Sequence, residues 1–350
     1  MHQHDTLLNR RSLLTGLAGS GTCGILGRLA WPLVAELPLA PAHAQSDALH
    51  SPGTHLLLLG TQGGPNFNPM RNETASAVVI DGRTYLVDCG YGALGALRKA
   101  GVNYRDIGHV FLTHLHDDHT ADLAAFLSHQ WSDGRVTPTI VTGPYGTKSM
   151  VKAALDFSAA NTAIRLVDEA RSVKPSALFH GEDVKATATP LDVFSDEKVR
   201  VSSIENTHFP ESSKRRMPYR SLAYRFETAT RSIVFSGDTS YSEGVVKLAK
   251  DADVLVCETI EVASMRRAFE RMVAGGAYAD NAEGVWSHIV ATHTSTEDAG
   301  RMAEEANVRT LVLDHLLPGA LQTIDDSVYL DGVRKHYSGK VVVGRDLMIL

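Results

Sequence analysis

The residues best suited to chemistry lie in one short stretch, residues 114–119 of the 350-residue chain, with the sequence His-Leu-His-Asp-Asp-His. An extended strand places alternate side chains on the same side, so we expect His114 and His116 to face one way. A turn into a helix then brings Asp118 and His119 round to a neighbouring position. Imidazole nitrogens and carboxylate oxygens are ligands of Zn²⁺. The stretch therefore predicts two metal sites that lie close together.

Further histidines and carboxylates recur at the ends of apolar, strand-like segments. Such strand ends are where ligands gather in layered α/β folds, because several chain segments meet there. Residues 290–293 are interpreted as one of these strand ends. The residues concerned are His208, Asp238, Glu258, His293 and His315.

The elements that must position these residues alternate between strands and helices. Period-two and continuous apolar runs predict strands at 55–60, 75–80, 84–88, 109–113, 139–142, 200–210, 222–226, 232–239, 254–258 and 310–315. Helical spacing predicts helices at 92–100, 121–131, 147–159, 262–274 and 296–306. No repeat or low-complexity linker interrupts the alternation, so residues 45–350 are predicted to form one α/β domain.

Asp88 ends one of these strands just upstream of residues 114–119. A carboxylate there is well placed to accept a hydrogen bond from the second ring nitrogen of a ligating histidine. A plain turn before Gly90 is the alternative interpretation.

Composition limits the range of partners. The chain is 43% hydrophobic and 21% charged, with a net charge of -6 and a pI near 6.2, so it has no global attraction to nucleic acid. The one basic cluster after His208 is Lys214, Arg215 and Arg216, with Tyr219 nearby. This cluster either clamps an anionic ester or is a solvated loop.

The N-terminus predicts export. Arg10 and Arg11 precede a Gly-rich apolar run at 14–26, and Ala42-His43-Ala44 offers a cleavage site. This order is typical of a twin-arginine signal at 1–44, cut after Ala44 and delivered by the Tat machinery to the periplasm. Charged residues interrupt the apolar stretch, so no stable membrane association is expected.

Two cysteines lie in the predicted mature chain, Cys89 and Cys257, each within an apolar strand-like run. We interpret both as small buried core residues and not as ligands or nucleophiles. A disulfide between them is left open.

The order of the motifs resembles a known family. The His-x-His-x-Asp-His stretch, then His208, then Ser-Gly-Asp238-Thr and then His315 resemble the metallo-β-lactamase superfamily of dinuclear metallohydrolases over residues 55–350. The sequences at 59–61, 71–72, 293–295 and 343–347 resemble its ribonuclease Z and arylsulfatase-like branch. The resemblance implies a four-layer αββα sandwich with the metals at one edge.

The resemblance also implies two Zn²⁺ ions per chain. The first would be bound by His114, His116 and His208. Asp118, His119 and His315 would bind the second, and Asp238 would bridge both ions. Two cations on one water bring its pKa toward ~7, which gives a hydroxide nucleophile at neutral pH.

The predicted catalytic residues are Asp118, His293 and Glu258. In the resembled branch, a histidine followed by Thr or Ser and paired with a carboxylate protonates the leaving group. A histidine that only supports the site is the alternative for His293. The family turn His-Glu-Ala-Thr is here Cys257-Glu258-Thr259-Ile260, so only the carboxylate carries over.

The expected function is an exported dinuclear zinc hydrolase acting on a small anionic or aromatic ester, either a phosphodiester or an aryl sulfate. Hydrolytic dehalogenation and lactone opening are alternatives on the same fold. An iron-dependent oxidoreductase and a non-catalytic metal-binding module are alternatives of other classes. The expected partner is a small-molecule substrate and no nucleic acid, because no Gly/Pro-rich arm is present and an exported protein meets little transfer RNA. Whether the chain forms a homodimer is left open.

Overall fold

Two mixed β-sheets carry the predicted site residues at one common edge. The computed structural model describes residues 48–319 and 325–350, and these belong to one compact unit, Ala40–Leu350. The predicted signal sequence and its cleavage after Ala44 lie outside the described residues.

The first sheet has six strands in sequence order, from β1 to β6. The strands β1, β2 and β3 pair antiparallel, and β3 to β6 pair parallel. Its strands are β1 Thr54–Gly60, β2 Ala75–Ile80, β3 Arg83–Val87, β4 His109–Phe111, β5 Thr139–Pro144 and β6 Phe179–Val184.

The second sheet has seven strands in the order β13-β12-β11-β10-β9-β8-β7. The strands β7 to β10 pair antiparallel, and β10 to β13 pair parallel. Its strands are β7 Leu191–Ser195, β8 Val199–Glu205, β9 Leu222–Thr228, β10 Ser232–Phe235, β11 Val254–Ile260, β12 Thr310–Leu317 and β13 Lys340–Val343.

Helices cover the outer faces of both sheets. Three 3₁₀ turns lie at Tyr104–Asp106, Asp117–His119 and Pro175–Ala177. The helices are α1 Ala93–Lys99, α2 Leu123–Ser132, α3 Thr147–Phe157, α4 Ala159–Asp168, α5 Glu211–Lys214, α6 Glu243–Leu248, α7 Val262–Ala274, α8 Ala282–Thr292, α9 Thr296–Glu305 and α10 Asp326–Val333.

Three hydrophobic clusters fill the spaces between the layers. One joins the first sheet to α1, α2 and α3, one lies between the two sheets, and one joins the second sheet to α6, α9 and α10. The leucine run of β1 is continuous because both faces of this strand are buried. Its Leu57 packs toward the helices, whereas Leu56 and Leu58 pack between the sheets, because alternate side chains of a strand point to opposite faces. The four-layer αββα sandwich is confirmed.

Most predicted elements are present, and one is of the wrong type. Residues 290–292, interpreted as a strand end, form the last turn of α8, and His293 is the residue that ends this helix. The short apolar run Ile289-Val290-Ala291 has no period that separates a strand from a helix. The segment Ala282–Thr292 forms a helix, and the Asn281 side chain caps its N-terminus by accepting from the Gly284 N–H.

Several elements carry no sequence prediction. Strands β6 and β7 are mostly exposed or half-buried, so their sequences lack the apolar alternation that identifies a strand. Helix α4 has no fully buried residue. These elements lie at the sheet edge or on the surface, and none of them supplies a predicted site residue.

The two cysteines are buried and free, which confirms their interpretation as core residues. No helix in the described part of the chain is both long and apolar enough to cross a membrane.

Candidate metal centre

Three overlapping groups of side chains at the common sheet edge have the composition of metal sites. In each group the ligand atoms all lie within 4.8 Å of one another. Asp238 belongs to all three, so the groups form one continuous centre. The groups are His114, His116, His208 and Asp238; Asp118, His119, Asp238 and His315; and Asp238, Glu258, His293 and His315.

Asp88 determines which ring nitrogen carries the proton in His114 and in His119. Its carboxylate accepts hydrogen bonds from the Thr113 backbone N–H at 2.8 Å and from the Thr113 hydroxyl at 2.9 Å. It also accepts from Nδ1 of His119 at 2.8 Å, so the hydrogen bond to a histidine ring that was predicted for Asp88 is present. Because the Thr113 hydroxyl donates to Asp88, its oxygen accepts from Nδ1 of His114, 3.1 Å away. Both histidines therefore keep the lone pair on Nε2 for another partner.

His208 follows β8 and has the same arrangement. Its Nδ1 donates to the carbonyl oxygen of Thr292 at 3.1 Å, so Nε2 carries the lone pair. This Nε2 atom lies 3.3 Å from Nδ1 of His116, which in turn lies 3.0 Å from Nε2 of His114. Three ring nitrogens thus converge on one point, which suits a cation with nitrogen ligands.

The second group shares Asp238 with the first. Nε2 of His315 lies 3.2 Å from one oxygen of Asp118 and 3.2 Å from one oxygen of Asp238. Nε2 of His119 lies 3.1 Å from the other oxygen of Asp238, without hydrogen-bonding geometry. These side chains are buried, and His119 Nε2 and Asp238 Oδ1 have no hydrogen-bond partner. Buried polar atoms left in this state are expected where an ion belongs.

A β-bulge brings His315 into this group. The pairing of β11 with β12 shifts after Glu258 and Asp314, so that His315 is the extra residue of β12. Its φ of 43° lies in the left-handed region, which a residue with a Cβ adopts at a cost. Bulges turn a side chain out of the regular alternation. His315 consequently faces the centre, although its neighbours in β12 belong to the sheet.

Glu258 and His293 form a pair beside the shared aspartate. Oε2 of Glu258 lies 2.8 Å from Nδ1 of His293 and 3.6 Å from Nδ1 of His315. The Nδ1 atom of His293 is also 3.8 Å from Asp238. The other oxygen of Glu258 accepts from the backbone N–H of Thr239 at 2.5 Å. The structure thus joins the two residues that the sequence predicted as a pair.

Burial and mutual charges divide the histidines into two classes. Burial, reinforced by nearby histidines, holds the pKa of His114 and of His208 well below the usual range. Burial acts the same way on His119 and His315, but the carboxylate of Asp238 overrides it and raises the pKa of both. Burial raises the pKa of Glu258. Burial alone would lower the pKa of His293, but the neighbouring Glu258 carboxylate outweighs it, so the pKa of His293 is raised.

The donor set fits divalent metal ions. Three imidazoles converge beside Asp238 in the first group, and the Asp118 carboxylate with two more imidazoles does so in the second. Borderline cations such as Zn²⁺ accept both kinds of ligand. The histidine and aspartate ligands proposed from sequence are all brought to this centre, as His114, His116, Asp118, His119, His208, Asp238 and His315.

Two segments lie beside the centre, the loop at residues 63–64 and the end of α8. The backbone N–H of Gly64 donates to Asp118 at 2.9 Å, and a Cβ at Gly63 would lie only 2.5 Å from the ring of His315. Helices α7 and α8 pack on each other through a separate apolar cluster. Helix α8 ends at the centre, where the exposed ring of His288 lies 5.6 Å from that of His208.

The basic cluster is divided by the structure. Lys214 is half-buried and pairs with Glu205 at 2.8 Å and with Glu211 at 3.1 Å. Arg215 and Arg216 are exposed, and within residues 48–319 and 325–350 neither has a carboxylate in ion-pair distance. Lys214 therefore stabilises its own segment, whereas the two arginines face solvent.

Sequence reasoning missed Thr113 and Thr292. Thr113 connects Asp88 to His114, and its position directly before the motif is the signal that could have found it. Thr292 acts through its backbone carbonyl, which no side-chain pattern identifies.

Comparison with known proteins gives a consistent family. The sequence profile described as "Beta-lactamase superfamily domain" matches residues 83–316. A ribonuclease Z from Mycobacterium bovis (strain BCG / Pasteur 1173P2) is 28% identical over 295 residues, covering 83% of this chain and 96% of the relative.

Two solved structures share the fold. Human tRNase Z, short form, has a TM-score of 0.60 at 22% identity and covers 85% of this chain and 98% of its own. The metallo-β-lactamase fold protein YhfI from Bacillus subtilis has a TM-score of 0.59 at 18% identity, with coverages of 85% and 98%.

These findings correct one expectation. A small-molecule partner without nucleic acid was predicted, but the ribonuclease Z relatives align over nearly their whole length, and the prediction is wrong. It rested on net charge, on a missing arm and on the expected export, none of which governs the chemistry at the metal centre. Net charge also hides local features such as the exposed Arg215 and Arg216. The chain is similar to ribonuclease Z proteins, and it belongs to the metallo-β-lactamase superfamily, as a metal-dependent hydrolase.

Proposed function

We propose that the protein is a dinuclear zinc-dependent phosphodiesterase that hydrolyses RNA. The observation that carries the proposal is the position of Asp238, which belongs to both groups of ligand atoms. Its carboxylate lies 3.8 Å from Nε2 of His114 in the first group, and 3.1 Å and 3.2 Å from Nε2 of His119 and of His315 in the second. The names of the relatives, which are ribonucleases, support RNA as the substrate.

The ligand roles follow from the two groups. His114, His116 and His208 would hold one ion, and Asp118, His119 and His315 the other, with Asp238 between them. Three protein ligands and a bridge leave each ion a coordination position for water or substrate. When bound, the two ions would activate a water for attack and stabilise negative charge on a phosphoryl oxygen.

The Glu258–His293 pair would supply the proton that the leaving oxygen needs. Expulsion of a ribose alkoxide is slow unless an acid protonates it. The carboxylate of Glu258 orients the imidazole through Nδ1, so the proton to be delivered would sit on Nε2. His293 is half-buried and stands beside Asp238, at the edge of the proposed ions.

Loss of the bridging carboxylate should abolish RNA cleavage. We expect zinc-loaded protein to cleave a single-stranded RNA oligonucleotide and Asp238→Ala to be more than about a hundredfold slower, since even residues that only support metal ligands contribute 10- to 100-fold. The measurement is the initial rate at saturating zinc, with Asp192→Ala as a control because that carboxylate is exposed on β7. Zinc-loaded wild-type protein that leaves RNA intact would contradict the proposed substrate.

Replacement of His293 should matter most for poor leaving groups. For His293→Ala we expect a loss of about 10²- to 10⁴-fold in turnover of RNA. The loss should be far smaller with methyl p-nitrophenyl phosphate, whose phenolate leaves without protonation. Zinc content, measured in parallel, should not change. Equal losses on both substrates, or a lost metal ion, would show that His293 is a ligand or a support and not the acid.

Removal of the Asp88 carboxylate should weaken metal binding without unfolding the chain. In Asp88→Asn, the ring of His119 and the hydroxyl of Thr113 lose their anionic acceptor, so we expect zinc affinity to fall about 10- to 100-fold. The measurement is competition with a chelator at equilibrium. Asp122→Asn is the matched control, because Asp122 is a half-buried carboxylate that accepts from the backbone of Gly92 and Leu94. Equal affinities in the two variants would refute the role of Asp88.

We also propose that the chain is exported to the periplasm after cleavage behind Ala44. The support is the order of Arg10-Arg11, apolar run and cleavage site in the sequence. Replacing both arginines by lysine should leave the uncleaved chain in the cytoplasm, as measured by intact mass in separated cell fractions. Recovery of a chain that still begins at Met1 from the periplasm would contradict the cleavage.

A further inference from the structure

Two exposed tyrosines form a pair beside the metal centre. The side chain of Tyr145 is 55% exposed and that of Tyr219 is 45% exposed. Their ring centroids lie 6.1 Å apart with the planes inclined at 49°, so the rings do not cover each other face to face. Single exposed aromatics are common on protein surfaces. A pair that leaves about half of each ring to solvent next to a reactive centre requires a separate explanation.

The backbone holds this pair against the metal-binding motif. Tyr145 directly follows β5. The segment between β4 and His114 is joined to β5 by the Leu112 N–H, which donates to the carbonyl of Thr142 at 2.8 Å. Gly146 has a φ of 104°, and a Cβ there would lie 2.9 Å from both the Leu115 side chain and the Tyr219 ring. Leu115 stands between His114 and His116. Tyr219 therefore packs over the chain segment that presents two of the proposed ligands.

The segment after Tyr219 is tied to the same centre. The Leu222 N–H donates to the carbonyl of Thr113 at 2.8 Å, and the Ser221 hydroxyl donates to the carbonyl of Asp238 at 3.3 Å. These bonds fix the backbone position of the segment that carries Tyr219. The pair is thus a rigid part of the mouth on the side of His114 and His116.

Unpaired cations lie in the same segment. Arg215 and Arg216 precede Tyr219 by a few residues, are exposed, and have no carboxylate within ion-pair distance among the described residues. Aromatic rings that stack on bases, combined with cations that follow the backbone, are the two features by which proteins bind single-stranded nucleic acid. A small ester needs neither of them, whereas an RNA strand that continues past the cleaved phosphate needs both.

We propose that Tyr145 and Tyr219 stack on an unpaired base next to the scissile phosphate, and that Arg215 and Arg216 bind the adjoining phosphates. The inference rests on the proposed function, since it names how the RNA substrate is held. It makes the tyrosine pair a binding determinant that lies outside the metal centre. RNA would be bound as a single strand at this point, because a base in a duplex has no free face.

The test uses the full zinc-loaded protein and single-stranded RNA oligonucleotides that carry 2-aminopurine at successive positions on either side of the cleaved phosphate. In Tyr145→Ala and Tyr219→Ala, KM should rise about tenfold while kcat stays within about twofold. The quenching of 2-aminopurine fluorescence on binding, seen with wild-type protein at one or two positions, should be lost. Tyr145→Phe and Tyr219→Phe should restore both, because stacking needs the ring and not the hydroxyl.

Matched controls separate stacking from general effects. Phe157→Ala removes an aromatic that is 81% exposed at the far end of α3 and should change neither KM nor quenching. Turnover of methyl p-nitrophenyl phosphate, which has no neighbouring base, should be the same in all these variants. In the Arg215→Ala, Arg216→Ala double variant, the slope of log Kd against log salt should fall by about 1.4, or about 0.7 for each lost phosphate contact.

The outcomes distinguish the two proposals. RNA cleavage with KM and quenching unaffected by either tyrosine variant would overturn the stacking inference and leave the proposed function standing. Tyrosine-dependent quenching without any cleavage would support the stacking inference and overturn the proposed function. An oligonucleotide that does not bind to wild-type protein would overturn both.

Discussion

The hydrogen bonds of the buried Asp88 carboxylate are the interaction on which the metal centre depends. Asp88 follows β3 and binds the backbone and hydroxyl of Thr113 and the ring of His119. Through the Thr113 hydroxyl it also determines the tautomer of His114. One carboxylate therefore sets the lone pairs of one histidine in each half of the centre. Without it, the two imidazoles would be free to rotate or to carry their protons on the wrong nitrogen.

The rest of the fold brings distant strand ends to this carboxylate. Segments after β4, β8 and β10, together with the bulge within β12, supply the ligand atoms. The apolar clusters between the layers hold these strands in place. At His315 the fold accepts a β-bulge and a left-handed backbone to direct the ring inward. Burying Asp118 and Asp238 among imidazoles leaves atoms without partners. Ion binding would satisfy them, so metal affinity and folding stability should be linked.

The part of the centre that is local in sequence could be predicted from sequence. His114, His116, Asp118 and His119 follow from strand and turn geometry within six residues, and Asp88 follows from its position at the preceding strand end. His208, Asp238 and His315 required the order of motifs in a known family, because no short-range rule says which distant strand ends meet. The strand interpretation of residues 290–292 failed because a short apolar run has no decisive period, and the structure makes it the end of α8.

Contacts made by the backbone and by the surface were beyond sequence reasoning. The Thr292 carbonyl orients His208, and a carbonyl is present at every residue. The tyrosines at 145 and 219 are far apart in sequence and meet only because Gly146 lets Tyr219 pack beside Leu115. The expectation of a small substrate failed for a related reason. Composition and net charge report on the whole surface, whereas binding of a strand depends on a few residues at the mouth.

The central claim is that Asp238 bridges two ions, with the Glu258–His293 pair beside them. The most direct measurement is anomalous diffraction at the zinc absorption edge from crystals of the zinc-loaded protein. We predict two peaks beside the Asp238 carboxylate, one among His114, His116 and His208 and the other among Asp118, His119 and His315. A single peak, or a peak bound by Glu258 and His293, would contradict the claim.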